Sequence, residues 1–475
     1  MNYLTTIGLE VHVQLKTRSK MFCACPTEFG APPNTQVCPV CLGYPGALPT
    51  LNEEAVRLTV IAGLLLGSRI HPCSRFDRKS YFYPDMPKNY QISQYDRPLC
   101  LGGALEIEVD GRVKTVRITR IHLEEDVAKN MHFQNASGVD FNRAGVPLME
   151  LVTEPDLATP EEAFAFLLAL RRILLYGGVS DCNLEQGNLR CDVNCSVRPE
   201  GQAQLGVKTE LKNLNTFKGV LAALRYERDR QIAARRAGER IVQETRRWDP
   251  ESGRTVAMRS KEDAHDYRYF PEPDLLPVAL PAQTVEAWRA ALPELPRARR
   301  ARFVAQYGLP DYDAGVLVAD KEVADFFERA ARCSANPKAV SNWMMTEMLR
   351  LLSEREIALN AVRITPEALA GLVRLVDEGV INVPTAREAF AVLFEQGGDP
   401  AELVRARGWG QVSDSGAIER LAEEAMAAHP RSVEDYRRGK AAALQFLVGQ
   451  VMRLSRGKAN PQLAAEALER RLKGP

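Results

Sequence analysis

The run IGLEVHVQL, residues 7 to 15, alternates without a break, so that Ile7, Leu9, Val11, Val13 and Leu15 share one face of a strand. Gly8, Glu10, His12 and Gln14 share the other. A carboxylate and an imidazole two residues apart on one strand face can hold a cation or handle protons, and they can equally be solvated polar side chains. Three more stretches repeat the arrangement. LRCDVNCSVR (189–198) sets Arg190, Asp192 and Asn194 against Leu189, Cys191, Val193 and Cys195; VKTELKN puts Lys208, Glu210 and Lys212 on one face; VRITRIHLEED ends in His122, Glu124, Glu125 and Asp126. If these strands share one antiparallel sheet, its polar face gathers carboxylates among Lys, Arg and His, an environment that attracts Mg²⁺, a hard cation with oxygen ligands. One charged face is ordinarily surface; several, each with an acid beside a base, point to a metal-assisted site.

Cys23, Cys25, Cys38 and Cys41 form a second constellation: Cys-x-Cys, twelve intervening residues, then Cys-x-x-Cys. Two pairs closing one loop suit a tetrahedral Zn²⁺, and four thiolates leave no open position, so such a site is structural. The alternative is four reduced thiols, since the first pair is tighter than the usual knuckle. Cys191 and Cys195 fall on an apolar strand face and read as core.

The elements that must position these groups are strands up to about residue 290, joined by Pro-, Gly- and Asn-rich loops. Two helices stand among them, over 52–67 and 159–178, the second opened by Thr159-Pro160 and closed by Gly177-Gly178. A Pro-punctuated stretch, FPEPDLLPVALPAQTVEAWRAALPELP, reads as a linker, and beyond it the periodicity is helical, with a further break at GGDPAELVRARGWGQVSD. The expected class is α+β: a mainly antiparallel sheet with flanking helices forms an N-terminal domain, followed by helical domains.

The 475 residues exceed what a single core usually supports. Sixty-two Lys and Arg against 61 Asp and Glu leave any polyanionic partner to a local patch. MNYLTT leads directly into a strand pattern and no apolar run approaches a membrane span, so the expected setting is cytoplasmic, without membrane, where cysteines stay reduced. No P-loop, no Gly-x-Gly-x-x-Gly after a strand and no Gly-x-Ser-x-Gly elbow occurs, which leaves nucleotide to be bound another way and gives a serine hydrolase little support.

With these residues in view, the chain resembles the GatB/GatE family, B subunits of tRNA-dependent amidotransferases, over essentially its whole length. The matching segments are IGLEVHVQL, the cysteine loop, KSYFYPDMPKNYQISQY (79–95), IHLEEDVAK (121–129), FNRAGVPLMELVTEPD (141–156), LRCDVNCSVR, TELKNLNTF (209–217) and DYRYFPEPDLLP (266–277). FLVGQVMRLSRGKANP (446–461) is similar to the YqeY-like helical tail, and Gln186 departs from the acid more usual after Glu185.

The resemblance implies residues 1–292 as a kinase-like, zinc-bearing cradle domain, 293–405 as a helical domain and 406–475 as a tRNA-binding tail. It implies an ATP-dependent carbon–nitrogen ligase with glutamine as amido donor, working in a heterotrimer with A and C subunits. ATP would phosphorylate the side-chain carboxyl of Glu-tRNA(Gln) or Asp-tRNA(Asn), and ammonia from the A subunit would displace the phosphate. Glu10, His12, Glu125, Asp192 and Glu210 match the family's Mg²⁺ and phosphoryl-transfer region, and Lys79 lies in the segment lining it. Glu124, Glu185, Arg190 and Lys208 are the expected ATP contacts, and Arg437, Arg438, Arg453, Arg456 and Lys458 the expected tRNA contacts. Residues 436–475 carry nine Lys and Arg against two acids, the local patch that net charge conceals. Two rivals stand beside this reading: a non-catalytic tRNA-binding platform, which would not need the acids, and a ligase for small acids, which would not need the basic tail.

Overall fold

Alternation in the first strand becomes the centre of a large sheet. In the computed structural model, which describes residues 2–184, 186–260, 267–410, 415–455 and 459–472, the chain forms two compact units, Met1–Pro296 and Arg297–Pro475. In the first unit, β1 (Tyr3–Gln14) is the middle of a ten-stranded sheet. The strands that flank the site are β2 (Asp77–Ser80), β3 (Tyr90–Ser93), β4 (Arg112–Glu125), β5 (Pro147–Thr153), β6 (Leu189–Pro199) and β7 (Thr209–Lys212).

Across the sheet the order is β7, β6, β1, β5, β4, all neighbours antiparallel. Beyond β7 lie Glu244–Asp249, parallel to it, and Arg254–Ser260; beyond β4 lie Cys100–Leu101 and Arg69–Ile70. The strands β2 and β3 pair in a separate small sheet whose third member is Phe270–Pro271. The fold class is α+β.

One face of the large sheet is dry. Ile7, Leu9, Val11 and Val13 are at most 1% exposed, and they pack with Cys191, Val193 and Cys195 of β6 against three helices. These are α1 (Glu53–Leu65), α2 (Pro160–Tyr176) and α3 (Phe217–Arg236). Both expected helices form with their expected starts. Thr159 accepts from the Glu162 main-chain N–H and Pro160 fills the first turn, while Asn52 accepts from Ala55 N–H and donates back to the Ser19 and Lys20 carbonyls. That second use of Asn52 ties the cysteine loop to the start of α1.

The Pro-punctuated stretch is not a free linker. It carries the short strands Phe270–Pro271 and Val278–Ala279 and a helix, Ala282–Ala290, whose Val285, with nearby Leu280, enters the core of the first unit. Proline marked the turns but concealed the apolar positions between them. The second unit is helical among its described residues and holds two separate apolar clusters, one built from residues 303–404 and one from 418–472.

Candidate active site and metal centre

The sheet register lines up the polar face. His12 pairs with Glu150 of β5 on one side and Arg190 of β6 on the other, and Glu150 in turn pairs with His122 of β4. Along the neighbouring row Glu10 pairs with Asp192. One row therefore reads His122, Glu150, His12, Arg190 across four strands, with apolar neighbours turned into the core.

His12, Glu124 and Glu150 come together tightly enough that one ligand atom from each lies within 4.8 Å of the others. The His12 Nε2 is 3.3 Å from a Glu150 oxygen and 3.9 Å from Glu124, and the His122 Nε2 lies 3.5 Å from Glu124 and 3.6 Å from Glu150. Ser93 of β3 donates to Glu124 at 3.0 Å. Burial disfavours a charged imidazole, yet the Glu150 and Glu124 carboxylates outweigh it and raise the His12 pKa above 6.5. Burial likewise pushes both carboxyls up, and the histidines and Lys79 more than reverse it, so Glu124 and Glu150 sit below the ordinary carboxylate range. Lys79 is held above its ordinary value because Glu124, with the neighbouring tyrosines and Glu150, overcomes its burial.

A second polar group lies beside the first. Arg190 bonds Asp126 at 2.8 Å, Gln14 donates to Asp126 at 2.7 Å, Asn194 donates to Glu10 at 2.9 Å, and Lys212 pairs with both Asp192 and Glu210. Among the described residues Arg190 Nε, Asn194 Oδ1 and His122 Nδ1 find no hydrogen-bond partner although buried, three polar atoms on the face where a polar ligand would bind.

The sequence-expected residues thus divide. Glu10, His12, Glu124, Arg190, Asp192 and Glu210 share the polar face, and Lys79 adjoins it electrostatically. Glu125 does not join them: adjacent residues of a strand face opposite ways, and Glu125 accepts from Ile92 N–H at 2.9 Å and pairs with Lys88. Both line a cavity of about 80 Å³ with Cys23 and Cys41. Lys208 is exposed just before β7, and Glu185, Arg456 and Lys458 lie outside the described residues. Arg437 and Arg453 are exposed on tail helices, and Arg438 is exposed in the turn that follows Arg437. Glu150 and His122 complete the site without having been among the expected ligands; a lone acid in the otherwise apolar strand PLMELVT was the available signal.

The four cysteines Cys23, Cys25, Cys38 and Cys41 converge, their sulfurs all within 4.8 Å of one another. The Cys38 main-chain N–H donates to Cys41 Sγ at 3.2 Å, and the fully buried Lys20 places its Nζ 3.6 Å from the same sulfur. The Cys23 hydrogen bond, the Cys38 amide and Lys20 together bring the Cys41 thiol down to about 4, while burial and Cys38 push Cys25 up to about 11. Four sulfurs this close cannot all be anionic unless a cation lies among them. The cluster is therefore a candidate metal site with a closed, thiolate-only donor set.

Comparison with known proteins adds a finding independent of this geometry. The GatB/GatE catalytic domain family matches residues 5–286, and a GatB domain family matches residues 325–472. The chain belongs to the GatB/GatE family. Among GatB relatives, the B subunit of an aspartyl/glutamyl-tRNA(Asn/Gln) amidotransferase from Carboxydothermus hydrogenoformans is 52% identical over 475 residues, covering 99% of each chain. The corresponding B subunit from Caldanaerobacter subterraneus subsp. tengcongensis is 53% identical over 473 residues, 99% of this chain and 100% of its own. The polar face and the cysteine loop both fall inside the GatB/GatE catalytic segment. No helix among the described residues is long and apolar enough to cross a membrane.

Proposed function

We propose that this chain is the B subunit of a tRNA-dependent amidotransferase, an ATP-dependent carbon–nitrogen ligase acting in the cytoplasm. Its substrate is the free side-chain carboxyl of Glu-tRNA(Gln), Asp-tRNA(Asn) or both. One carboxylate oxygen attacks the γ-phosphorus of ATP and ADP leaves; ammonia then attacks the carbonyl carbon, and phosphate leaves with that oxygen. A carboxylate alone would have to expel oxide, so activation is what ATP supplies. The ammonia comes from an A subunit, with a C subunit completing a heterotrimer.

The observation that carries this reading is the His12–Glu124–Glu150 group on one face of the large sheet, with Lys79 of the neighbouring small sheet acting on it electrostatically. Two carboxylates are the hard donors that Mg²⁺ takes, and imidazole is not its preferred ligand. Glu124 and Glu150 would hold Mg²⁺, with His12 and His122 orienting them. A cation held there would supply positive charge to the transferring phosphoryl group. Lys79 and Arg190 offer positive charge to ATP or to the carboxylate, and Glu10, Asp192 and Glu210 hold Asn194 and Lys212 in place around them. The four-cysteine loop would hold a structural Zn²⁺. The exposed arginines of the tail would bind tRNA phosphates.

Reconstitution with both partner subunits, misacylated tRNA, glutamine and ATP tests the reading. Amidated aminoacyl-tRNA forms only with this chain, ATP and Mg²⁺ all present. Amidation of free glutamate at a comparable rate would favour the small-acid ligase instead.

A further inference from the structure

Lys20 is the only fully buried lysine among the described residues. An ammonium taken out of water is costly unless an anion lies against it. Buried cations elsewhere in the chain meet carboxylates: Arg299 bonds Glu328 at 2.8 Å, Arg78 bonds Glu272 at 2.7 Å, and Lys88 pairs with Glu125. Lys20 does not. Among the described residues its Nζ donates to Cys41 Sγ at 3.6 Å and to the Phe141 carbonyl at 3.1 Å. The carbonyl is neutral, so of these two partners only the sulfur can carry the balancing charge.

Main-chain bonds on either side fix where this side chain goes. The Lys20 N–H donates to the Cys25 carbonyl at 2.9 Å, and the Met21 N–H donates to the Gly145 carbonyl at 2.7 Å. The stretch is thus fastened to the cysteine loop on one side and to the residues that lead into β5 on the other. Cys41 is also the buried member of the four cysteines, whereas Cys23, Cys25 and Cys38 are half-buried. Water can screen those three sulfurs. Cys41 depends on donors the fold supplies, which are the Cys38 main-chain N–H at 3.2 Å and the Lys20 ammonium.

Four thiolates around one Zn²⁺ leave an excess of negative charge inside the protein. We propose that Lys20 is the charge partner of the metal-loaded cluster, its ammonium donating to metal-bound Cys41 and offsetting part of that excess. A charge-assisted hydrogen bond to the sulfur draws electron density from it and so tunes its donation to the metal. The proposal rests on the reading of the cysteine loop as a Zn²⁺ site and not on the phosphoryl-transfer chemistry.

The test challenges the full-length zinc-loaded chain with a chromophoric chelator and prepares a second sample with Co²⁺ in place of Zn²⁺. Lys20→Leu is expected to bind zinc roughly 10- to 100-fold more weakly, the range for losing a supporting group around a metal. In the Co²⁺ form its sulfur-to-metal charge-transfer band moves to lower energy, because the Cys41 lone pair has lost its donor, while the d–d bands keep their tetrahedral intensity. Unchanged affinity overturns the proposal. Weaker binding with an unshifted charge-transfer band overturns it too, since a merely loosened loop gives that result. If Lys20→Leu does not fold, a crystal structure of the zinc-loaded wild-type chain decides. There, Nζ within hydrogen-bonding distance of metal-bound Cys41 upholds the proposal, and Nζ turned to Phe141 alone overturns it. A wild-type chain that takes up neither metal removes the Zn²⁺ reading itself, and the proposal with it.

Discussion

His12 and Glu150 stand opposite each other on adjacent antiparallel strands, with the imidazole Nε2 3.3 Å from a Glu150 carboxylate oxygen. Glu150→Gln keeps the shape and removes one of two hard donors. It is expected to weaken divalent-cation binding by at least about 100-fold, the upper range for losing even a supporting group at a metal site. Mn²⁺ titration followed by EPR measures this directly, and the variant is expected to fold normally because the amide still accepts from His12.

Glu125 is expected to behave differently, as a buried partner of Lys88, whose side chain is 10% exposed. Glu125→Gln strands that cation, at a cost of about 3–5 kcal/mol. Adding Lys88→Met should recover much of the loss. A double-mutant cycle by denaturant unfolding checks the coupling, and Mn²⁺ affinity of the double variant should stay near wild type.

Purified chain is expected to hold one zinc, bound by Cys23, Cys25, Cys38 and Cys41. Cys38→Ser should lose it, and the loop should then become sensitive to protease before the sheet unfolds, since the metal's binding energy holds the loop closed. Elemental analysis with limited proteolysis reads both outcomes.

The exposed Arg437, Arg438 and Arg453 are expected to meet phosphates. Each contact removed should lower the salt slope of tRNA binding by roughly 0.7 to 0.9, so the triple alanine variant binds more weakly and with a flatter dependence. Filter binding across a salt series checks it.

Much of this was legible in the residues, and what was not has a physical reason. Period-two alternation gave the polar faces of β1 and β6 because a strand's side chains must alternate. Cysteine spacing gave the closed loop. Glu150 was hidden because its partnership with His12 depends on register between strands far apart in sequence, which local pattern does not encode. Glu125 was assigned to the Mg²⁺ region, and Glu124 to ATP, through the resemblance of the run that holds both, although neighbours in a strand face opposite ways.

The central claim is that the tRNA-borne carboxyl is phosphorylated at the Glu124–Glu150 face. Misacylated tRNA whose side-chain carboxyl carries ¹⁸O tests it most directly, by mass analysis of the phosphate released during amidation. Transfer of one ¹⁸O into phosphate by the wild-type complex, and loss of both transfer and amidation with Glu150→Gln while the partner still hydrolyses glutamine, is the predicted result. Amidation without ¹⁸O in the phosphate, or full transfer by Glu150→Gln, would contradict it.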